Sequence, residues 1–285
     1  MLRITGLAVL LLASTYSLAG TPGTDTTVAP LVDLDADRLI TADDAGRVEK
    51  WGNSAPFAPV REFIKQDKGR KEKGAGRPLL VKNVAALNGH HTIVFHKQEL
   101  VAHHEDAFDH LIRGSGYTWL CVIKPGRQYG ELKDVHSFFG NLKNGGHYEG
   151  LWAGLSDDNA FWAGSRNGRT FGRWDENNPY IVTAQRLDTG RYYLLAGRMD
   201  AGTDTVAIRL YIGGMLTPAA TGKFPVNPGS DASRMAIGQE RDAIEHPGVE
   251  SFTGEIARFI LFDRALSDKA LGELQRKLIK RYRLR

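Results

Sequence analysis

From Leu31 to Asp263 short apolar runs alternate with clusters of Gly, Asn, Asp and Pro, the pattern of many brief strands joined by turns. These runs predict strands at 31–36 (LVDLDA), 91–96 (HTIVFH), 117–125 (YTWLCVIKP), 137–141 (SFFGN) and 150–156 (GLWAGLS). Further strands are predicted at 160–166 (AFWAGSR), 180–185 (YIVTAQ), 192–200 (YYLLAGRMD), 206–214 (VAIRLYIGG), 234–239 (RMAIGQ) and 255–263 (EIARFILFD). In the last, Ile256, Ile260 and Phe262 share one face while Ala257, Phe259 and Leu261 share the other. A sandwich strand needs only one buried face, so the second face must lie under a covering element. The period then changes. Ser267 is placed as an N-cap, and Leu271, Leu274, Leu278 and Tyr282 recur as a helix stripe. Leu266 and Leu271 are spaced as a hydrophobic staple, and Arg276, Lys277, Lys280 and Arg281 suit the negative end of the helix dipole. The pattern therefore predicts an all-β, two-sheet antiparallel jelly-roll sandwich closed by a C-terminal helix.

Residues 1–19 place Arg3 before an apolar stretch and end in Ser17-Leu18-Ala19, which reads as a cleaved signal peptide. Residues 20–29 follow as a polar leader and 30–285 as one domain. This implies a secreted or envelope protein, periplasmic or extracellular, with no membrane span in its mature form. The single cysteine, Cys121, falls inside a predicted strand, so the core must hold without disulfides. Net charge is +4, concentrated partly in IKQDKGRKEKGAGR (64–77), which reads as a mobile surface loop. The charge permits an acidic partner without requiring one.

A resemblance joins these pieces. LVDLDADRL, Trp51-Gly52-Asn53, Arg77-Pro78, Leu87-Asn88-Gly89, TIVFHKQEL, RYYLLAGRMDAG, VAIRLYIGG and FTGEIARFILFDRALSDKALGELQRKLIKRYRL follow in the order seen in bacterial laminin-G-like proteins. The chain thus resembles the laminin-G-like, concanavalin A-like jelly rolls over nearly all of 30–285. The resemblance implies two curved sheets, and a glycan-directed role for many members. His96-Lys97 stands where that family usually has Asp-Gly. The Glu-x-Asp-x-x-Glu strand of the related glucan hydrolases does not occur, so paired-carboxylate hydrolysis has no support.

Candidate chemistry concentrates between Gly130 and Pro179. Trp152, Trp162 and Trp174 lie there among Asn141, Asn159 and Arg166, flat aromatic surfaces beside short hydrogen-bonding groups, as a sugar site needs. LWAGLSDDN and FWAGSRNG suggest a hairpin, whose two Trp share a face only if the loop has three residues. The leading expectation is a non-catalytic module for carbohydrate or another surface ligand. The first alternative is a polysaccharide lyase, with His136, His147 or Tyr148 as base and Arg166 or Arg169 opposite a uronate carboxylate. The second is a protein-binding adhesion or scaffold module. Calcium is a possible cofactor, with Asp157, Asp158, Asp175 and Glu176 as oxygen donors. Asp33-x-Asp35-x-Asp37 lacks the glycine of a calcium loop and reads better as strand-end aspartates. HHEDAFDH (103–110) lacks zinc-hydrolase spacing. No phosphate loop, dinucleotide fingerprint or Gly-x-Ser-x-Gly occurs, and nucleic acid is not expected as a partner.

Overall fold

The computed structural model describes residues 28–129, 135–144, 147–171, 174–239, 248 and 250–285. The signal peptide expected at 1–19 and most of the leader lie outside the described residues. In chain order the strands begin β1 (Val32–Asp35), β2 (Ile40–Ala42), β3 (Val48–Gly52), β4 (Glu62–Lys65), β5 (Leu79–Val81) and β6 (Thr92–His96). There follow β7 (Leu100–Val101), β8 (Tyr117–Pro125), β9 (His136–Gly140), β10 (Lys143–Asn144), β11 (Tyr148–Leu155) and β12 (Ala160–Asn167). The last are β13 (Ile181–Arg186), β14 (Tyr193–Met199), β15 (Thr205–Ile212), β16 (Ala220–Pro225), β17 (Ala236–Ile237) and β18 (Thr253–Phe262), before helix α1 (Asp268–Tyr282).

Two antiparallel sheets result. The back sheet runs β16-β15-β14-β8-β18-β6-β5, and the front sheet runs β13-β12-β11-β9-β17-β7-β4-β3-β2. Long β18 serves two neighbours on one edge: its first residues pair with β6 and its last with β1. The main core lies between the sheets and includes Trp119, Phe138, Phe139, Phe161, Phe259 and Cys121. Burial pushes the Cys121 thiol well above its usual pKa, consistent with an inert core residue.

The strand EIARFILFD is buried on both faces, as its composition predicts, but with different partners. A bulge between Ile256 and Arg258 shifts its parity. Ile256 consequently joins Phe259 and Leu261 in the central core, while Ala257, Ile260 and Phe262 meet the helix. Ser267 caps α1 by accepting from the Ala270 N–H at 3.2 Å, and Leu266 and Leu271 share one cluster. Leu271, Leu278 and Tyr282 are buried against the back sheet.

The alternating aspartates of β1 and its continuation hold the chain ends together. Arg258 forms two hydrogen bonds with Asp33, at 2.9 and 2.8 Å, and Arg281 reaches Asp35 and Asp37 at 2.9 and 2.8 Å. Burial raises the Asp37 pKa, but the His91 N–H, the His90 ring and Arg281 outweigh it and hold this carboxyl below its usual value. The basic stretch 64–77 is fastened more firmly than its composition suggests. Arg70 pairs with the fully buried Glu99 and donates to the Lys97 carbonyl, and Arg77 pairs with Glu49 at 2.9 Å. Burial pushes Glu99 up to about 7, against the opposing pull of Arg70.

Candidate functional site

The Trp-Ala-Gly repeat builds the centre of the site. Ser156 N–H donates to the Ala160 carbonyl and Asn159 adopts φ +57°, so the hairpin turns through the three residues 157–159. That loop length sets the register. Trp152 stands opposite Gly164, Ala153 opposite Ala163, and Gly154 opposite Trp162. The two copies of Trp-Ala-Gly thus pair with each other, and each indole lies over the other copy's glycine. A methyl group on Gly154 would stand 2.9 Å from the Trp162 ring, and one on Gly164 would stand 2.6 Å from the Pro179 carbonyl. Leu151, Ala153, Leu155, Phe161 and Ala163 point into the central core, so both indoles point the other way, off the outer face of the front sheet.

That face is covered. Trp152 is 1% exposed and Trp162 is fully buried, with their rings 5.7 Å apart in an edge-to-face arrangement. Trp174, from the connection between β12 and β13, lies 6.0 Å from Trp152, 5.7 Å from Trp162 and 4.4 Å from Tyr180. Its φ of +61° is a strained conformation for a bulky residue and turns the backbone back over the sheet. Arg166 is buried within the aromatic group, its guanidinium 4.5 Å above the Tyr148 ring and 5.0 Å and 5.4 Å from Trp152 and Trp174. Outermost is Phe171, 57% exposed and stacked on Tyr148 at 4.7 Å and 22°.

Trp152 and Trp162 therefore form the foundation, and the surface a ligand can reach belongs to Phe171, Tyr148, Trp174 and Tyr180. Phe171 and Tyr180 were not among the expected ligand residues. An aromatic among Gly, Arg and Thr in GRTFGRW was the available signal, because no strand alternation accounts for it there. Arg173, of the same segment, lies outside the described residues. Asn141 and Asn159 are buried structural groups rather than ligand contacts. Asn141 Oδ1 accepts from the Leu151 N–H at 2.9 Å. Asn159 Nδ2 donates to the Gly126 carbonyl at 3.3 Å, pinning the hairpin turn to the loop after β8.

The residues of the lyase alternative separate into two groups. His136 is buried opposite Leu155, at the turn end of the hairpin, and bonds Asp157 through Nε2 at 2.7 Å. His147, Tyr148, Arg166 and Arg169 are at the other end, roughly 20 Å away along the strands. There Arg166 lies over the face of the Tyr148 ring, and Arg169 donates to the Val226 carbonyl at 3.2 Å.

The four expected calcium donors also fall on two segments. Asp158 pairs with Arg186 at the hairpin turn beside Asp157, while Asp175 accepts from Thr170 Oγ1 and the Asn177 N–H in the connection that carries Trp174 and Glu176. Among the described residues, the group of three carboxylates that lie within 4.8 Å of one another is Asp106, Asp109 and Asp231. Arg113 lies 3.1 Å from Asp109 and 3.6 Å from Asp231, and Lys143 also pairs with Asp231. Burial pushes Asp109 up to about 6, with Asp231 and Asp106 adding repulsion against the pull of Arg113.

A family model described as the concanavalin A-like lectin/glucanases superfamily, laminin-G type, matches residues 102–271. Among solved structures, domain 4 of AbnA, a GH43 extracellular arabinanase from Geobacillus stearothermophilus in complex with arabinotriose, superposes with TM-score 0.52 at 17% identity, over 87% of this chain and 98% of that one. The binding domain of Paraclostridial Mosquitocidal Protein 1 gives 0.54 at 12% identity, over 87% of this chain and 52% of that one. Trypanosoma rangeli sialidase gives 0.51 at 15% identity, over 95% of this chain but only 36% of the sialidase. At these identities the likeness is one of fold. No curated protein matches the chain by sequence.

Proposed function

Because the chain belongs to the laminin-G-like branch of the concanavalin A-like lectin/glucanase superfamily, we propose that it is a carbohydrate-binding module whose ligand rests on the outer face of the front sheet, against Phe171, Tyr148 and Trp174. The observation that carries this reading is the exposed Phe171 ring, stacked on Tyr148 and backed by Arg166 and two buried indoles. A sugar presents apolar C–H faces between hydroxyls, and a fixed aromatic surface binds those faces without ordering a flexible side chain. The likeness in fold to the arabinanase domain solved with arabinotriose supports a saccharide ligand. The burial of Arg166 over the face of the Tyr148 ring, away from solvent, supports binding without cleavage. The leader-like residues 1–19 fit a module that meets its glycan outside the cytoplasm.

The test is a glycan array probed with the wild type, Phe171→Ala and Trp174→Ala, with and without added calcium. The wild type should retain one saccharide class, and each variant should bind it about tenfold more weakly, the scale of one lost aromatic contact. Failure of the wild type to retain any glycan, or variants that bind as the wild type does, would overturn the proposal. Rising ultraviolet absorbance on incubation with a uronate polymer would replace it with elimination chemistry.

A further inference from the structure

Helix α1 covers the outer face of the back sheet only as far as Tyr282. Beyond it opens a hollow of about 500 Å³, on the side of the sandwich opposite the aromatic face. Ala85, Ala86 and Gly190 leave its walls low, and Tyr192, itself 5% exposed, is among its lining residues. Arg191, Arg283 and Arg285 line it from two separate segments.

The walls are tied in place. Arg283 ends the helix in the left-handed conformation, φ +49°, and Asn88 Nδ2 donates to the Arg281 carbonyl at 3.1 Å. Arg191 lies 4.9 Å above the Tyr193 ring and donates to the main-chain oxygen of Arg285 at 3.0 Å. Among the described residues, no side-chain carboxylate pairs with any of these three arginines. Of the nearby acids, Glu255 accepts from Tyr192 Oη and pairs with Lys124 at 2.7 Å, and Asp188 accepts from Tyr193 Oη at 3.3 Å.

We propose that this hollow is a second binding site, for a saccharide bearing a carboxylate or sulfate group. Its volume suits a small ligand rather than a bare ion. Guanidinium forks match carboxylate and sulfate oxygens in pairs, and the low walls at Ala85, Ala86 and Gly190 leave room for the sugar ring. The chain's net charge of +4 favours the approach of an acidic ligand. The site does not depend on the front face, and either can fail while the other stands.

Calorimetric titration of the full chain with trigalacturonate, a sulfated galactan trisaccharide, neutral galactotriose and inorganic sulfate tests it. The variants are Arg191→Gln, Phe171→Ala and Arg283→Asn, the last because asparagine tolerates the left-handed position. At least one anionic trisaccharide should bind, weaken as ionic strength rises, and lose about tenfold in affinity with either arginine variant. Phe171→Ala should leave that binding intact, and melting temperatures should match the wild type. The proposal is overturned if neither anionic trisaccharide binds, if galactotriose binds the Phe171→Ala variant as tightly as the anionic trisaccharide does, if inorganic sulfate binds as tightly, if both arginine variants bind normally, or if Phe171→Ala abolishes the binding.

Discussion

Replacing Trp152 with alanine separates a foundation from a ligand platform. The side chain is 1% exposed and packs against Trp162, Trp174 and the Arg166 guanidinium. Truncating a buried tryptophan costs about 3–5 kcal/mol through lost transfer energy and the cavity left behind. The Arg166 cation–π contact adds about 0.5–1 kcal/mol, and its loss leaves a buried guanidinium less well surrounded. In a domain of this size each kcal/mol lowers the melting temperature by about 2–4 °C, so Trp152→Ala should melt roughly 7–24 °C below the wild type. Phe171→Ala, 57% exposed, should stay within about 2 °C, since its loss leaves no cavity in the packed interior. Circular dichroism melts of the two variants check both values. A Trp152→Ala variant that melts with the wild type yet loses its ligand would refute the argument, because the indole would then be a platform and not a support.

Three further outcomes follow from the same geometry. Gly154→Ala should destabilise by about 1–3 kcal/mol, measured by urea unfolding, because its methyl would meet the Trp162 ring and the His136 carbonyl at 2.9 and 2.8 Å. Asp109, raised from 3.8 to about 6, binds more protons in the folded chain than in the unfolded one across that window. Stability should therefore fall as pH rises through it, and Asp109→Asn should flatten that part of the melting-temperature profile. Asp37 has the opposite sign. Its pKa is lowered below 3.8, so the advantage of the wild type over Asp37→Asn should be full above that value and should shrink as pH falls below it, in the same melts.

The sandwich and its helix were legible because they depend on local patterns. The Ser267 cap, the Leu266–Leu271 pair and the two-faced strand EIARFILFD each carry a period or a cap that physical chemistry reads directly. Strands β2, β4, β5 and β16 were not legible, since much of their surface remains in water and their alternation is weak. The bulge in β18 was also hidden: one shifted residue moved Ile256 to the other face without any change in composition. In the candidate site the Trp-Ala-Gly repeat could be seen, but its register depended on the turn. A three-residue turn put both indoles on one face, and the connection carrying Trp174 then covered them. Composition shows which residues suit a sugar; long-range packing decides which of them meet solvent.

A crystal structure of the protein with a neutral oligosaccharide chosen from the array decides whether the front sheet's outer face is the binding surface. A sugar ring is expected against Phe171 and Trp174 on that face, with Trp152 and Trp162 still buried beneath. A neutral sugar bound on any other surface, or one that displaces the Trp174 connection to stack on Trp152, would contradict it.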